Sequence, residues 1–300
     1  MPASRSVVSM LLRELGDFSL HPQGRPCGRP PAAAVLGRQT TCHHRAMSEQ
    51  RSSLSFERIA DRYDATRGGE QRGRRTAASL APLLDPAWPV VEIGIGTGVV
   101  ALGLREHGFA VVGVDLSPAM AQRARRRLGP AVAVADAAHL PVADAAIEQA
   151  VSVWLLHLVA DRAAVLAEVA RALRPGGRYL VNSARVRVRP EDEIERLVFN
   201  MRDQLDPRWG NDERQVLDAA FSAGLTVVDQ RPAAPDEAAQ SPAEVADSIE
   251  AKTWSSLWNL TDEQWQAVVA PTVAALRALP DAHVQHRFHN PQQIIVLQRR

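Results

Sequence analysis

Val90-Val91-Glu92-Ile93-Gly94-Ile95-Gly96-Thr97-Gly98-Val99-Val100 is the stretch that decides the fold. Val90, Val91 and Ile93 suit a parallel strand covered on both faces. Gly94, Gly96 and Gly98 then let the backbone turn tightly and come close to a ligand. Val99 to about Glu106 reads as a helix with its amide end aimed at the turn. Two acids bracket this unit. Glu92 sits at the carboxyl end of the strand, and Asp115 closes the next apolar run, Ala110-Val111-Val112-Gly113-Val114. An acid closing the second strand of such a unit suits the two hydroxyls of a ribose.

Moving outward, Ser117-Pro118 is a helix start, with Ser117 as cap and Pro118 at the first helical position. The helix runs to Leu128, and its late arginines, Arg123, Arg125, Arg126 and Arg127, read as a solvated face that complements the helix dipole. Ala131 to Ala135 is a third strand, ending in Asp136-Ala137-Ala138. Glu148 to Trp154 is a fourth, followed by Leu155-Leu156-His157-Leu158-Val159. Ligands of doubly wound sheets sit at the carboxyl ends of the strands near the topological switch, which is where Trp154 to His157 falls. Asp161 to Leu173 reads as a helix, Arg174-Pro175-Gly176-Gly177 as its stop and turn, and Tyr179-Leu180-Val181 as a fifth strand. Arg185, Arg187 and Arg189 then alternate onto one face, which reads as a solvated strand edge or a contact for an anionic substrate.

The motif Glu-x-Gly-x-Gly-x-Gly with Asp115 resembles the class I S-adenosylmethionine-dependent methyltransferases of the small-molecule type, similar to those of quinone biosynthesis. Leu173-Arg174-Pro175-Gly176-Gly177 is a second marker of that family. The run from His139 to Glu148 matches a third, with Val142 and Ile147 where the family has phenylalanine and Glu148 where it has aspartate. The resemblance is close from about Ser55 to Ser183 and architectural beyond. It implies an α/β doubly wound, Rossmann-like sheet of seven strands with the last one antiparallel. It also implies S-adenosyl-L-methionine as cofactor. In that light Glu92 borders the cofactor site, and Gly94, Gly96 and Gly98 cradle the cofactor's amino-acid part. Asp115 binds ribose, Leu116 lies against adenine, and Asp136 and Ala137 fix the adenine edge. Trp154 walls the pocket or faces the sulfonium. His157 keeps the first of a histidine pair common in these relatives, Leu158 replacing the second; it reads either as a base for the acceptor or as a packing residue. The family's Phe-x-x-x-Ala-x-x-Tyr-Asp helix is matched by Phe56, Ala60, Tyr63 and Asp64. It would fold over the cofactor and bring Tyr63 and Arg67 near the carboxylate end, although Tyr63 equally suits an apolar packing stripe.

Composition sets broad bounds. Three hundred residues with 46% hydrophobic content allow one full α/β domain with extras. A formal charge of +1 gives no push toward nucleic acid or a membrane surface. No apolar run reaches the ~18 residues of a membrane span. Both cysteines, Cys27 and Cys42, precede the core, so a cytoplasmic protein is expected. Cys42-His43-His44 has metal-ligand residue types, but a closed zinc site needs four ligands, and no metal is read.

Residues 1–46 are expected to be a disordered arm or a mis-assigned start with Met47 as initiator, and 47–86 cap helices. The methyltransferase core is expected over 87–230, and a helical insert or lid over 231–291. Residues 292–300 supply the last strand. The insert holds two capped helix starts, at Ser241-Pro242-Ala243-Glu244 and Thr261-Asp262-Glu263-Gln264. It also holds Trp254, Trp258 and Trp265, read as pinning it to the core or lining an aromatic pocket, and the insert itself is read as a lid or a homodimer contact.

The expected function is methyl transfer to a small-molecule acceptor by in-line displacement. One alternative is a cofactor-binding regulatory or partner protein without turnover. The other is a nicotinamide-dependent oxidoreductase. Its fingerprint Gly-x-Gly-x-x-Gly/Ala needs Gly or Ala at 99, where the chain has valine. It also lacks a Tyr-x-x-x-Lys pair, since Lys252 is the only lysine.

Overall fold

The computed structural model describes residue 56 and residues 63–66, 68–185, 190–207, 212–234, 236–290 and 292–300. The arm 1–46, Arg67 and most of the helix expected before Asp64 lie outside the described residues, as do the side chains of Arg185, Arg187 and Arg189.

Among the described residues, α1 (Tyr63–Thr66) and α2 (Gly69–Leu80) precede the sheet. The core then alternates β1 (Val90–Ile93), α3 (Val99–Glu106), β2 (Val111–Asp115), α4 (Pro118–Leu128) and β3 (Val132–Val134). It continues with β4 (Ile147–Val153), α5 (Arg162–Ala172), β5 (Leu173–Arg185), α6 (Glu193–Leu205), α7 (Asp212–Ser222) and β6 (Leu225–Pro232). A short ribbon of β7 (Asp236–Gln240) and β8 (His286–Asn290) frames α8 (Pro242–Glu250) and a helical run over 262–277, and β9 (Gln292–Arg299) closes the chain. The seven-stranded sheet has the order β3-β2-β1-β4-β5-β9-β6. β1 to β5 pair in parallel, and β9 lies antiparallel between β5 and β6, as the expected fold requires.

The switch point falls between β1 and β4, because the chain first winds outward to β3 and then returns to lay β4 on the free side of β1. Every residue of β1 is buried, the mark of a strand covered on both faces. One face packs on α5 and α7 through Val91, Ile93, Leu166 and Val216. The other packs on α2, α3 and α4 through Val90, Val151, Leu80, Leu104 and Ala124. Ser117 caps α4 as expected, its hydroxyl accepting the Met120 amide at 3.2 Å, with Pro118 in the first turn.

Three sequence expectations change in detail. The Arg174–Gly177 turn is a jog within β5: Leu173 already pairs with Ile147, and the register shifts before Arg178 pairs with Gln149, helped by the positive φ of 78° at Gly176. Two of the arginines on α4 do not simply face solvent. Arg125 donates to the Val132 carbonyl at 2.9 Å, and Arg127 reaches across to the N-terminal helix. The insert contains the β7–β8 ribbon as well as helices, because these strands pair only with each other across some fifty residues and leave no local signal. Both capping boxes are present. The insert helices share a separate apolar cluster with α6, built on Ile194, Met201, Val245, Leu257 and Leu276.

Helices α2 and α3 touch at glycines. A Cβ on Gly73 would lie 2.8 Å from the Val99 Cβ and closer still to the Val99 carbonyl, and one on Gly103 would lie 2.7 Å from the Ala77 Cβ. Neither partner can yield without moving backbone. Gly73→Ala is therefore expected to destabilise the protein by about 1–3 kcal/mol, measured as a lowered urea midpoint at unchanged slope; an unchanged midpoint would contradict this packing.

Candidate functional site

The strands β1, β2, β3 and β4 end along one rim, and a cavity opens there. From the glycine turn, Gly94, Ile95, Gly96 and Thr97 line it, followed by Val99 and Val100 of α3. Asp115, Leu116 and Ser117 line it from the end of β2, and Ala135 to Ala138 from the end of β3. Trp154, Leu155, Leu158 and Val159 line it from the end of β4, and Phe56 and Tyr63 from the N-terminal side.

The turn has its shape because three glycines take left-handed conformations, with φ of 74° at Gly94, 56° at Gly96 and 81° at Gly98. A side chain on Gly94 would press on Leu155, with its Cβ 2.8 Å from Leu155 Cδ1, whereas the Cβ position of Gly96 meets no protein atom within 4 Å. The backbone there is bare and open to a ligand. Asp115 fixes the turn. Its Oδ2 accepts the Gly96 amide at 2.7 Å and its Oδ1 the Ser117 amide at 2.9 Å. Leu116 stands half-exposed beside it, at 44%. Asp136 is held by the Ala138 amide at 2.9 Å and lies 3.3 Å from His139 Nδ1. The loop behind it is anchored by Arg171, which donates to Asp144, Glu168 and the Val142 carbonyl.

Glu92 is 2% exposed. Among the described residues its Oε2 has no hydrogen-bond partner. Burial, reinforced by the Asp115 carboxylate, pushes its carboxyl up to about 8 against the opposing pull of the Ala101 amide.

Trp154 ends β4 with a φ of 55°, a left-handed conformation that is costly for a bulky residue. Three contacts hold it. Its amide donates to the Asn182 carbonyl at 2.8 Å, its indole to Gln292 at 3.1 Å, and the Arg72 guanidinium lies 3.5 Å from the ring centroid. The turn after β4 points Leu155 and Leu158 at the cavity, and His157 is not among the residues that line it.

The structure thus brings Tyr63, Glu92, Gly94, Gly96, Asp115, Leu116, Asp136, Ala137 and Trp154 to one cavity. Gly98 sits behind the turn, packed on Ala124 and Leu128. Arg67 lies outside the described residues. None of Trp254, Trp258 and Trp265 lines the cavity. Trp258 instead meets Phe56 edge-on at 5.0 Å, and Phe56 meets Tyr63 at 6.0 Å.

Sequence reasoning missed a clasp. Asp64 accepts from the Thr97 hydroxyl at 2.6 Å and from Arg127 at 2.5 Å, while Arg127 also donates to the Thr97 carbonyl at 2.7 Å. These groups tie α1 to the glycine turn. Asp64 in the Tyr-Asp pair was the available signal, but its partner Arg127 lies 63 residues away.

A parallel sheet with a glycine turn at its switch point and acids at the ends of β1, β2 and β3 defines a Rossmann-like protein with a nucleoside-cofactor cavity. Residues 91–181 match the family model described as a methyltransferase domain. Residues 91–181 therefore carry a methyltransferase domain, similar to the S-adenosylmethionine-dependent enzymes of quinone biosynthesis. Over 134 residues the chain is 41% identical to the ubiquinone/menaquinone biosynthesis C-methyltransferase of Desulfotalea psychrophila, covering 41% of this chain and 54% of that protein. Over 130 residues it is 36% identical to the demethylmenaquinone methyltransferase of Corynebacterium kroppenstedtii, covering 42% and 56%. The chain thus spans about half the length of the curated relatives it matches. In fold it is similar to the crystal structure of the cyclase SpnF, with a TM-score of 0.53 at 18% identity over 84% of this chain and 96% of that one.

The raised carboxyl of Glu92 has a consequence for stability. The unfolded chain releases this proton near the ordinary glutamate value, about 4.3, while the folded protein holds it up to about 8. Across that window the folded state binds more protons, so its contribution to stability falls as pH rises. Glu92→Gln is expected to melt at a temperature increasingly above wild type between about pH 5 and about pH 9; a constant difference across that range would contradict the assignment.

Proposed function

We propose that this protein transfers the methyl group of S-adenosylmethionine to a small, largely apolar acceptor by in-line displacement. The observation that carries the reading is the cavity itself. It combines a bare glycine turn, an acid at the end of β2, a second acid at the end of β3, and an apolar side formed by Phe56, Trp154, Leu155 and Leu158. The buried Glu92 Oε2, which has no partner among the described residues, and the open face of Gly96 fit a ligand with a cationic amino-acid tail.

S-adenosylmethionine, when bound, supplies a methyl group already activated on a sulfonium. The chain's own residues then have three tasks. Gly94 and Gly96, with Gly98 shaping their turn, receive the amino-acid part beside Glu92. Asp115 holds the ribose diol, Leu116 lies against the adenine face, and Asp136 with the Ala137 amide reads the adenine edge. Tyr63 lies toward the carboxylate end and Trp154 toward the sulfonium, and the apolar wall beside Trp154 orients the acceptor and excludes water. His157, off the cavity wall, is given no step in this reading.

The names of the matched relatives point to a quinone-type ring carbon as acceptor, and we infer a cytoplasmic location. The apolar wall suits such a ring better than an anionic or nucleic-acid acceptor. The clasp of Asp64, Thr97 and Arg127 would hold Tyr63 over the bound cofactor.

Asp115→Ala is expected to weaken S-adenosylhomocysteine binding at least tenfold, about 1.4 kcal/mol, in calorimetry on a variant with unchanged circular dichroism. Unchanged affinity would remove the ribose role. Wild type incubated with methyl-labelled S-adenosylmethionine and reduced 1,4-naphthoquinone is expected to label the ring. Cofactor binding with no label on this or any other small phenol or hydroquinone would favour the non-catalytic alternative.

A further inference from the structure

The most exposed question in the cavity is the state of Glu92. It is a buried acid with one oxygen lacking any partner among the described residues. From β2 the Asp115 carboxylate faces it, and from α3 the Ala101 amide. Its neighbours on β4 are uncharged, with Val151 directly opposite Glu92. Arg72 of α2 stacks on Trp154. The other ionisable groups around the cavity are Tyr63, Asp136 and Asp161. No lysine, arginine or histidine is among the described residues that line it. A carboxylate so placed has a like charge beside it and no counter-ion among the described residues, so the protonated acid is favoured.

We propose that Glu92 carries a proton in the cofactor-free protein and gives it up to solvent when the α-ammonium of the cofactor's amino-acid tail enters, so that cofactor capture releases about one proton. This rests on the methyltransferase reading above. The balance is simple: a neutral acid and an ammonium become a carboxylate–ammonium pair, and the proton leaves to buffer. The Oε2 that has no partner among the described residues gains one. The tail therefore does more than add contacts. It supplies the counter-ion that Glu92 lacks, and it makes the site discriminate ligands by the charge of that tail.

Two limbs follow for affinity. At low pH the Glu92 proton must be displaced, so binding tightens as pH rises. At higher pH the ligand's own α-ammonium loses its charge and binding weakens again. Affinity for S-adenosylhomocysteine should be bell-shaped, with the acidic limb belonging to Glu92 and the alkaline limb to the ligand.

The test is calorimetry of the full chain at about pH 6.5 in buffers of different ionisation enthalpy, where the slope of observed enthalpy counts protons. S-adenosylmethionine and S-adenosylhomocysteine are each expected to release close to one proton. 5′-Methylthioadenosine, which keeps the nucleoside and lacks the amino-acid tail, should release none. Glu92→Gln, an uncharged stand-in for the protonated acid, should bind S-adenosylhomocysteine without proton release and lose the acidic limb. Binding by wild type without proton release, release with methylthioadenosine, or unchanged release in the variant would each overturn the proposal. Failure of all three ligands to bind would instead overturn the methyltransferase reading, and this inference with it.

Discussion

The 2.7 Å hydrogen bond from the Gly96 amide to the Asp115 carboxylate joins the two turns on which the cavity depends. Glycine takes without strain the φ of 56° that aims this amide at the end of the neighbouring strand. Asp115 in turn reaches both Gly96 and Ser117, so a single side chain sets the turn after β1 relative to the start of α4. Gly113 makes the approach possible from below: a Cβ there would stand 2.9 Å from the Glu92 carbonyl and would collide with the Ile95 side chain. Conformational freedom at glycine, close packing and one carboxylate thus act together at the switch point. The proximity of Glu92 to Asp115, and with it the raised carboxyl, comes from the same geometry.

A second constraint is stored at the end of β4. Trp154 has a backbone conformation that costs of order 1–3 kcal/mol for a residue with a side chain. It keeps that conformation because β5, β9 and α2 each hold it through Asn182, Gln292 and Arg72. The consequence is positional. The left-handed turn lets the chain fold back so that Leu155, Leu158 and Val159 form the apolar wall. Above them the N-terminal side is stitched down by Asp64 and Arg127, and Phe56 links it to the insert through Trp258. The side of the cavity under β1, β2 and β3 is therefore built from short, local turns, and the side bounded by Phe56, Tyr63 and Trp154 from contacts between distant segments.

That division explains what the sequence revealed. Buried parallel strands, the glycine turn, Asp115, Asp136 and the capped start at Ser117 are local patterns with a local physical cause, and each stands where its pattern placed it. The antiparallel final strand followed from the resemblance, since Gln292–Arg299 carries no signal of its direction. Long-range partners were not legible. Arg127 looked like one of several surface arginines until Asp64 was found beside it, and the β7–β8 ribbon closes over the whole insert. His157 was a plausible base by position alone, but a one-residue difference within a tight turn decides which side chain faces the cavity, and there it is Leu158. The insert's tryptophans were read as pinning or lining. Trp254 and Trp265 pack on the cluster shared with α6, and Trp258 touches Phe56.

The central claim is that the cavity at the β1–β4 switch takes S-adenosylmethionine in preference to a dinucleotide. The most direct measurement is a calorimetric titration of the purified chain with S-adenosylmethionine, S-adenosylhomocysteine and NAD under one condition. The account predicts saturable binding of the first two, with dissociation constants of roughly micromolar order, and none for NAD. Binding of NAD with no response to the other two would contradict it.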